Sequence, residues 1–301
     1  MSLERAFSPS TEMRSYETLW AWPNQTVRTL AELFSDKPLL PSQVLDRWMV
    51  EHLYAKELLE KVSEFLSRLS VRFSLSLHRD FQYPRRLRAA EFPPELLYYR
   101  GDIGLIRSKS VSVVGARECS NDGKLRAAKM ARGLVEAGYT VVSGLAKGID
   151  TAAMKAAIEA GGHTIGVIGT PLNHYYPPEN RDLQDLVGDS HLLVSHIPFY
   201  RYSHESWQAK RLHFPERNQT MAALSAATVV IEAGETSGSL IQARAAMKQG
   251  RKLFILNSCF ESGKKWPHMY EKRGAIRVRD FDDVFSALGD SGNGRQAVEE
   301  N

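Results

Sequence analysis

From residue 110 onward, short apolar runs alternate with stretches whose apolar residues recur every three to four positions. The runs at 111–114, 140–143, 164–168, 192–195, 228–231 and 253–256, with 276–278 at an edge, predict strands. The periodic stretches at 124–137, 150–160, 181–186, 218–225, 239–249 and 281–288 predict helices. Strands this continuously apolar are covered on both faces, so the alternation predicts an α/β fold: a mainly parallel sheet with helices on both sides.

Before residue 70 the pattern is helical. Residues 27–34 carry apolar positions at helical spacing, and so does 43–69, through Val44, Leu45, Trp48, Met49, Leu53, Leu58, Leu59, Val62, Phe65 and Leu69. Pro41-Ser42 reads as a helix start. The pattern predicts a small helical domain over 1–70, a connector over 71–108, a main domain over 109–288 and a disordered polar tail over 289–301. In the connector, 71–75 reads as a short strand, and prolines punctuate 83–94.

The chain has 301 residues, 43% hydrophobic and 25% charged, as a globular protein does. A net charge of +4 permits a polyanionic partner without requiring one. Cys119 and Cys259 lack CxxC spacing, so neither a disulfide nor a metal site is expected. With no apolar leader and no bilayer-length run, the expectation is a cytoplasmic protein that does not contact membrane.

In an open parallel sheet, ligands bind beyond the carboxyl ends of the strands. After the first strand, Gly115 turns the chain toward a helix start, and Arg117 adds a planar fork suited to phosphate. After the second, Ser143, Gly144, Lys147 and Gly148 precede another helix, with Asp150 as a candidate cap. After the fifth, Ser237, Gly238 and Ser239 form a third phosphate-compatible terminus, with Ser239 a candidate cap. Segment 199–218 interleaves Arg201, Lys210, Arg211 and Arg217 with aromatic residues, as single-strand binding requires, although Phe214 reads as packing. Lys264, Lys265, Lys272 and Arg273 form a further basic stretch, readable equally as a solvated face.

Several strings together resemble the DprA/Smf family. They are Tyr83-Pro84, Pro93-Pro94 with Tyr99-Arg100-Gly101-Asp102, VSVVGAR (111–117), SGLAKGID (143–150), Tyr176-Pro177 with Asn180, FPERN (214–218) and EAGETSGSLIQA (232–243). The resemblance covers about residues 80–285 and implies an extended Rossmann-like domain. It further implies a non-catalytic homodimer that binds single-stranded DNA and serves recombination or natural transformation, with RecA recombinase as partner and no cofactor. By motif position it makes Arg117, Lys147 and Arg217 DNA contacts, with Gly115, Ser120, Ser143, Gly144, Gly148, Asn218, Ser237, Gly238 and Ser239 shaping the site. Met154, His196, Gln219, Gln242 and Asn257-Ser258 depart from the family pattern and mark the chain as divergent.

Two other functions fit a Rossmann-like crevice: a sensor of a small nucleotide, and a nucleotide-processing enzyme. Asp150 and Glu232 stand at strand ends, where acid–base work is done, but they read first as structural carboxylates.

Overall fold

Proline in the first turn starts two N-terminal helices of the computed structural model, which describes residues 8–35, 39–52 and 54–289. The fixed φ of proline suits that turn, where no intrahelical N–H bond is required. In chain order the elements are α1 (Pro9–Ala21), α2 (Val27–Ser35), α3 (Pro41–Glu51), α4 (Tyr54–Ser67), β1 (Ser74–Leu77), α5 (Arg85–Arg88), β2 (Leu96–Gly101), β3 (Ser110–Val114), α6 (Asn121–Glu136), β4 (Thr140–Ser143), α7 (Ile149–Glu159), β5 (Thr164–Val167), α8 (Arg181–Ser190), β6 (Leu192–Ser195), α9 (Phe199–His204), α10 (Trp207–Lys210), α11 (His213–Leu224), β7 (Ala227–Val230), α12 (Ser239–Lys248), β8 (Lys252–Leu256), α13 (Asn257–Phe260), α14 (Trp266–Glu271), β9 (Ile276–Val278) and α15 (Phe281–Leu288). Leu53 and the tail from residue 290, both given a structure in the sequence reading, lie outside the described residues.

The chain divides into two compact bodies. One gathers Met1–Arg100, Ile168–Tyr175 and Val194–Arg217; the other, larger, gathers Gly101–Val167, Tyr176–Leu193 and Asn218–Asn301.

In the larger body, parallel strands run in the order β5-β4-β3-β7-β8-β9. Register pairs Val111 with Val141 on one side of β3 and with Ala227 on the other. All residues of β3, β4, β5 and β7 are buried, as strands covered on both faces must be. Val111, Val113, Val141, Val229 and Phe254 pack with Ala127, Met130 and Leu134 of α6 and Ala153 and Ala157 of α7. Elsewhere in this body Ala222 of α11 meets Ala245 and Ala246 of α12. The expected α/β architecture, mainly parallel and sandwiched by helices, is present.

The other body holds α1–α4 and the antiparallel pair β1–β2, with Ser74 opposite Tyr99. Two buried carboxylates of α1 tie it together. Glu12 accepts from the Ser42 N–H and hydroxyl at the start of α3 (2.9 and 2.8 Å). Glu17 accepts from the Phe199 and Tyr200 N–H groups (2.9 Å each) and from the Tyr98 hydroxyl (2.5 Å). The continuous helical pattern over 43–69 proves to be two helices, broken where His52 is extended (φ −135°, ψ 104°). The apolar period runs on across the break, and no Gly or Pro marks it. Segment 199–218, where the pattern predicted no helix before residue 218, folds into α9, α10 and the start of α11. The Ser206 hydroxyl caps α10, and Pro215 sits in the first turn of α11, where its missing N–H costs nothing.

Candidate nucleic-acid interface

Strand order in the larger body runs from β3 to β5 in one direction and from β7 to β9 in the other. The reversal falls between β3 and β7, and such a switch point opens a crevice at the carboxyl ends. Loops 115–120 and 231–238 flank it, and loop 144–148 lies beside the first.

Main-chain contacts join the three loops. The Ala116 N–H donates to the Glu232 carbonyl (2.7 Å), and the Ile149 N–H to the Ala116 carbonyl (3.3 Å). Gly148 adopts φ +78°, and a Cβ there would overlap the carbonyl oxygens of Ala116 and Arg117. Glycine is required on both counts. Gly115 lies between Ile149 and the Glu232 carbonyl.

Two exposed cations stand on this joined frame. The Arg117 guanidinium lies 5.8 Å from the centre of the Tyr176 ring, within cation–π range. Lys147 pairs with Glu179, both well exposed. An ion pair this exposed is worth little, so a phosphate can replace the carboxylate cheaply. Tyr176 and Glu179 were not expected site residues. Their signal was the YPPEN string, which sequence reasoning used only as a motif.

The backbone amides behave differently from expectation. The start of α6 is already filled: Ser120 Oγ accepts from the Gly123 N–H (2.9 Å), while the Ser120 N–H and hydroxyl donate to the Glu232 carboxylate (3.0 and 2.6 Å). The Gly144 N–H donates to Asp150 Oδ2 (3.0 Å), and the buried Ser143 hydroxyl to the Val113 carbonyl (2.7 Å). Asp150 therefore braces the loop, and the cap position of α7 belongs to Gly148. Polar groups enclosed by a tight loop must be paired, and the loops' own carboxylates do so. At α12 the cap position is Gly238 and Ser239 is the first helical residue. There Ser237 Oγ lies 2.7 Å from Ser239 Oγ, and Asn218 Nδ2 donates to the Gly238 carbonyl (3.3 Å). Gly238 is exposed, as are Lys265, Lys272 and Arg273, with Lys264 half-buried.

The remaining expected residues belong to the other body. Arg217 is buried, with 6% of its surface exposed. Arg201 is committed internally: Nε pairs with Glu205 (2.7 Å), and a terminal nitrogen donates to the Trp20 carbonyl (3.0 Å). Lys210 lies 4.8 Å over the Tyr202 ring, and Arg211 is exposed. Glu205 also meets His213 Nε2 (2.6 Å), whose Nδ1 faces Glu216 (3.3 Å). Burial lowers the affinity of His213 for a proton, but the two carboxylates outweigh it and push its pKa up to about 9. Sequence reasoning missed this network, although Arg201 and Glu205 stand four apart, at helical pairing distance. At the end of β6, the Ser195 hydroxyl donates to the Thr170 carbonyl (2.7 Å), and burial pushes His196 down to about 4. Phe214 packs over Gly169, where a Cβ would lie 2.7 Å from its ring.

Among the described residues, no group of three or more His, Cys, Asp or Glu is placed to hold a metal ion, and no helix is long and apolar enough to cross a membrane.

A doubly wound sheet with two cations on joined loops at its switch point matches a known class. The sequence model described as DNA recombination-mediator protein A matches residues 74–289. The DNA processing protein DprA of Streptococcus pneumoniae is 40% identical over 205 residues, 68% of this chain and 70% of that protein. The X-ray structure of DNA processing protein A from Streptococcus pneumoniae matches with a TM-score of 0.76 at 33% identity, covering 91% of this chain and 97% of that one. A structure of DNA processing protein A from Helicobacter pylori, described for its single-stranded DNA binding mode, matches with a TM-score of 0.61 at 26% identity, over 72% of this chain and 96% of that one. The chain belongs to the DNA recombination-mediator protein A family, the DprA/Smf proteins.

Proposed function

We propose that this chain binds single-stranded DNA through the switch-point rim of its larger body, and that it does so without turnover, in DNA processing and recombination. One observation carries the reading: Arg117 and Lys147 come from different strands yet stand exposed on loops locked together at Gly148. Cations held in fixed relation suit successive phosphates better than a single charge does. Ser237, Gly238 and Ser239 at the start of α12 complete the rim, and Arg211 and Arg217 are read as DNA contacts of the other body in its own right. The non-catalytic reading draws support from Asp150 and Glu232, both occupied in bracing loops. Within this proposal the protein acts as a homodimer and passes DNA to RecA recombinase.

Fluorescence anisotropy of labelled oligo-dT and of common nucleotides, side by side at two salt concentrations, tests it. Oligo-dT binding that weakens steeply with salt is expected. Tight nucleotide binding that salt barely affects, with no oligonucleotide binding, would overturn it in favour of a nucleotide sensor.

A further inference from the structure

The switch-point rim leaves unused a strongly basic surface on the smaller body. Between β1 and the end of α5, the chain carries Arg79, Arg85, Arg86 and Arg88, all exposed, and Phe81, which is 83% exposed. Large aromatic side chains are seldom so open to water.

The segment is braced. The Asp80 carboxylate accepts from the Leu77 N–H (2.8 Å), and the Tyr83 N–H donates to the Asp80 carbonyl (3.0 Å), closing the turn that holds Phe81. Arg88 reaches back from α5 to the same turn, donating to the carbonyls of His78 (3.0 Å) and Asp80 (2.8 Å) while lying 5.6 Å over the Tyr83 ring. The Tyr83 hydroxyl donates to the Pro94 carbonyl (2.5 Å), so the ring beneath Arg88 is itself fixed. Arg88 is thus the clasp that ties α5, which carries Arg85 and Arg86, to the turn that carries Arg79 and Phe81.

The clasp leaves charge uncompensated. Arg85 and Arg86 make no ion pair among the described residues. Asp80 is occupied by the turn, and Glu95, near Arg79, is 6% exposed. Three exposed guanidinium groups on the same segment as an exposed aromatic side chain have the chemistry of a single-strand contact: cations for phosphates and a ring for a base. Holding these groups in place before binding lowers the ordering cost.

We propose that Arg79, Phe81, Arg85 and Arg86 form a second single-stranded-DNA contact, separate from the rim. For the identity of its ligand this rests on the function proposed above.

The test uses the full chain and a labelled 40-mer of dT, titrated across a salt series. The variants are the triple Arg79→Ala/Arg85→Ala/Arg86→Ala, its triple Lys counterpart, Phe81→Ala, and the rim double Arg117→Ala/Lys147→Ala. The substituted side chains are exposed, and Arg88 is untouched, so thermal midpoints should match the parent. The triple Ala variant should bind about tenfold or more weakly, with the slope of log affinity against log salt smaller by about 2, since three phosphate contacts are lost. The triple Lys variant should keep most of that slope, since the charge is retained. Phe81→Ala should weaken binding about five- to tenfold with the slope unchanged, as loss of stacking releases no counterion. Unchanged affinity and slope in the triple Ala variant would overturn the second contact. So would binding of the patch to phosphatidylserine vesicles in place of the oligonucleotide. The rim double variant keeps the two readings apart: if it alone is silent, the rim fails while this contact stands.

Discussion

The Glu232 carboxylate, from the loop after β7, receives both the N–H and the hydroxyl of Ser120, at 3.0 and 2.6 Å. A negative charge thus occupies the start of α6, where the sequence had suggested an open anion cradle. Glu232→Ala should leave the Ser120 N–H without its acceptor and cost about 1 kcal/mol, a loss read by urea denaturation. Glu232→Gln keeps an acceptor and should cost less. Glu232→Gln also removes a charge that repels phosphate, so it should bind oligo-dT at least as tightly as the parent at low salt. A loss of binding in a folded Glu232→Gln protein would show that the carboxylate does more than brace the loop.

Gly148→Ala should be severe for its size. The added Cβ would meet two carbonyl oxygens, and φ +78° is unfavourable for alanine. The expected cost is about 1–3 kcal/mol. Because Gly148 joins the loops of Arg117 and Lys147, oligo-dT affinity should fall even where the variant remains folded. Stability lost with affinity intact would mean that the two loops need no fixed relation for binding.

The sheet was legible because buried parallel strands leave an unmistakable trace. Residues 140–143, 192–195 and 276–278 needed no adjustment, and α15 ended at its Gly289 as the pattern implied. Short helices escaped where composition hid them: α10 has one turn and depends on the Ser206 cap rather than on apolar periodicity. At the candidate site, the placing of Arg117 and Lys147 on loops after β3 and β4 was legible because glycines and cations follow those strands in a recognisable order. The roles of Ser120, Ser143 and Gly144 could not, since they depend on Glu232, Val113 and Asp150, which only the folded chain brings within reach. Glu17 was equally silent, its partners Phe199 and Tyr200 lying far along the chain.

Glu17 should make stability depend on pH. Burial is the main cause that raises its pKa from 4.5 to about 7, against three hydrogen bonds that favour the charged form. The folded-state value lies above the unfolded one, so the folded chain holds a proton that the unfolded chain has lost across that interval. Stability from this group is full below about pH 4.5 and is lost as pH rises through about 7. His196, pushed down to about 4, works in the opposite sense over pH 4–6.5, and His213 loses its contribution only as pH rises through about 9. The difference between parent and Glu17→Gln isolates the one group. The unfolding free energy of the parent, read from urea denaturation, should fall relative to the variant between pH 5 and 7.5, by an amount of order 1–3 kcal/mol. A constant difference across that range would mean that Glu17 stays charged when buried.

The rim cations carry most of the functional reading. Arg117→Ala and Lys147→Ala should each weaken oligo-dT binding from a few-fold to tens of fold, the range of one charge-assisted contact. Each should lower the salt slope by about 0.7, because one fewer counterion is released. Base composition should matter little, since phosphates carry no sequence information. Lys272→Ala and Arg273→Ala should have smaller effects if that stretch is a solvated face. Arg217→Ala should differ in kind: the side chain is buried, so its thermal midpoint should fall together with its affinity. Lys147→Ala has an internal check, because the parent must first release Glu179. Glu179→Ala frees the lysine and should bind oligo-dT slightly more tightly than the parent, and in the Lys147→Ala background it should add little. If Arg117→Ala and Lys147→Ala both kept parental affinity and slope while folded, phosphate binding at the switch point would be wrong. A ligand held there would then have to be recognised without these two charges.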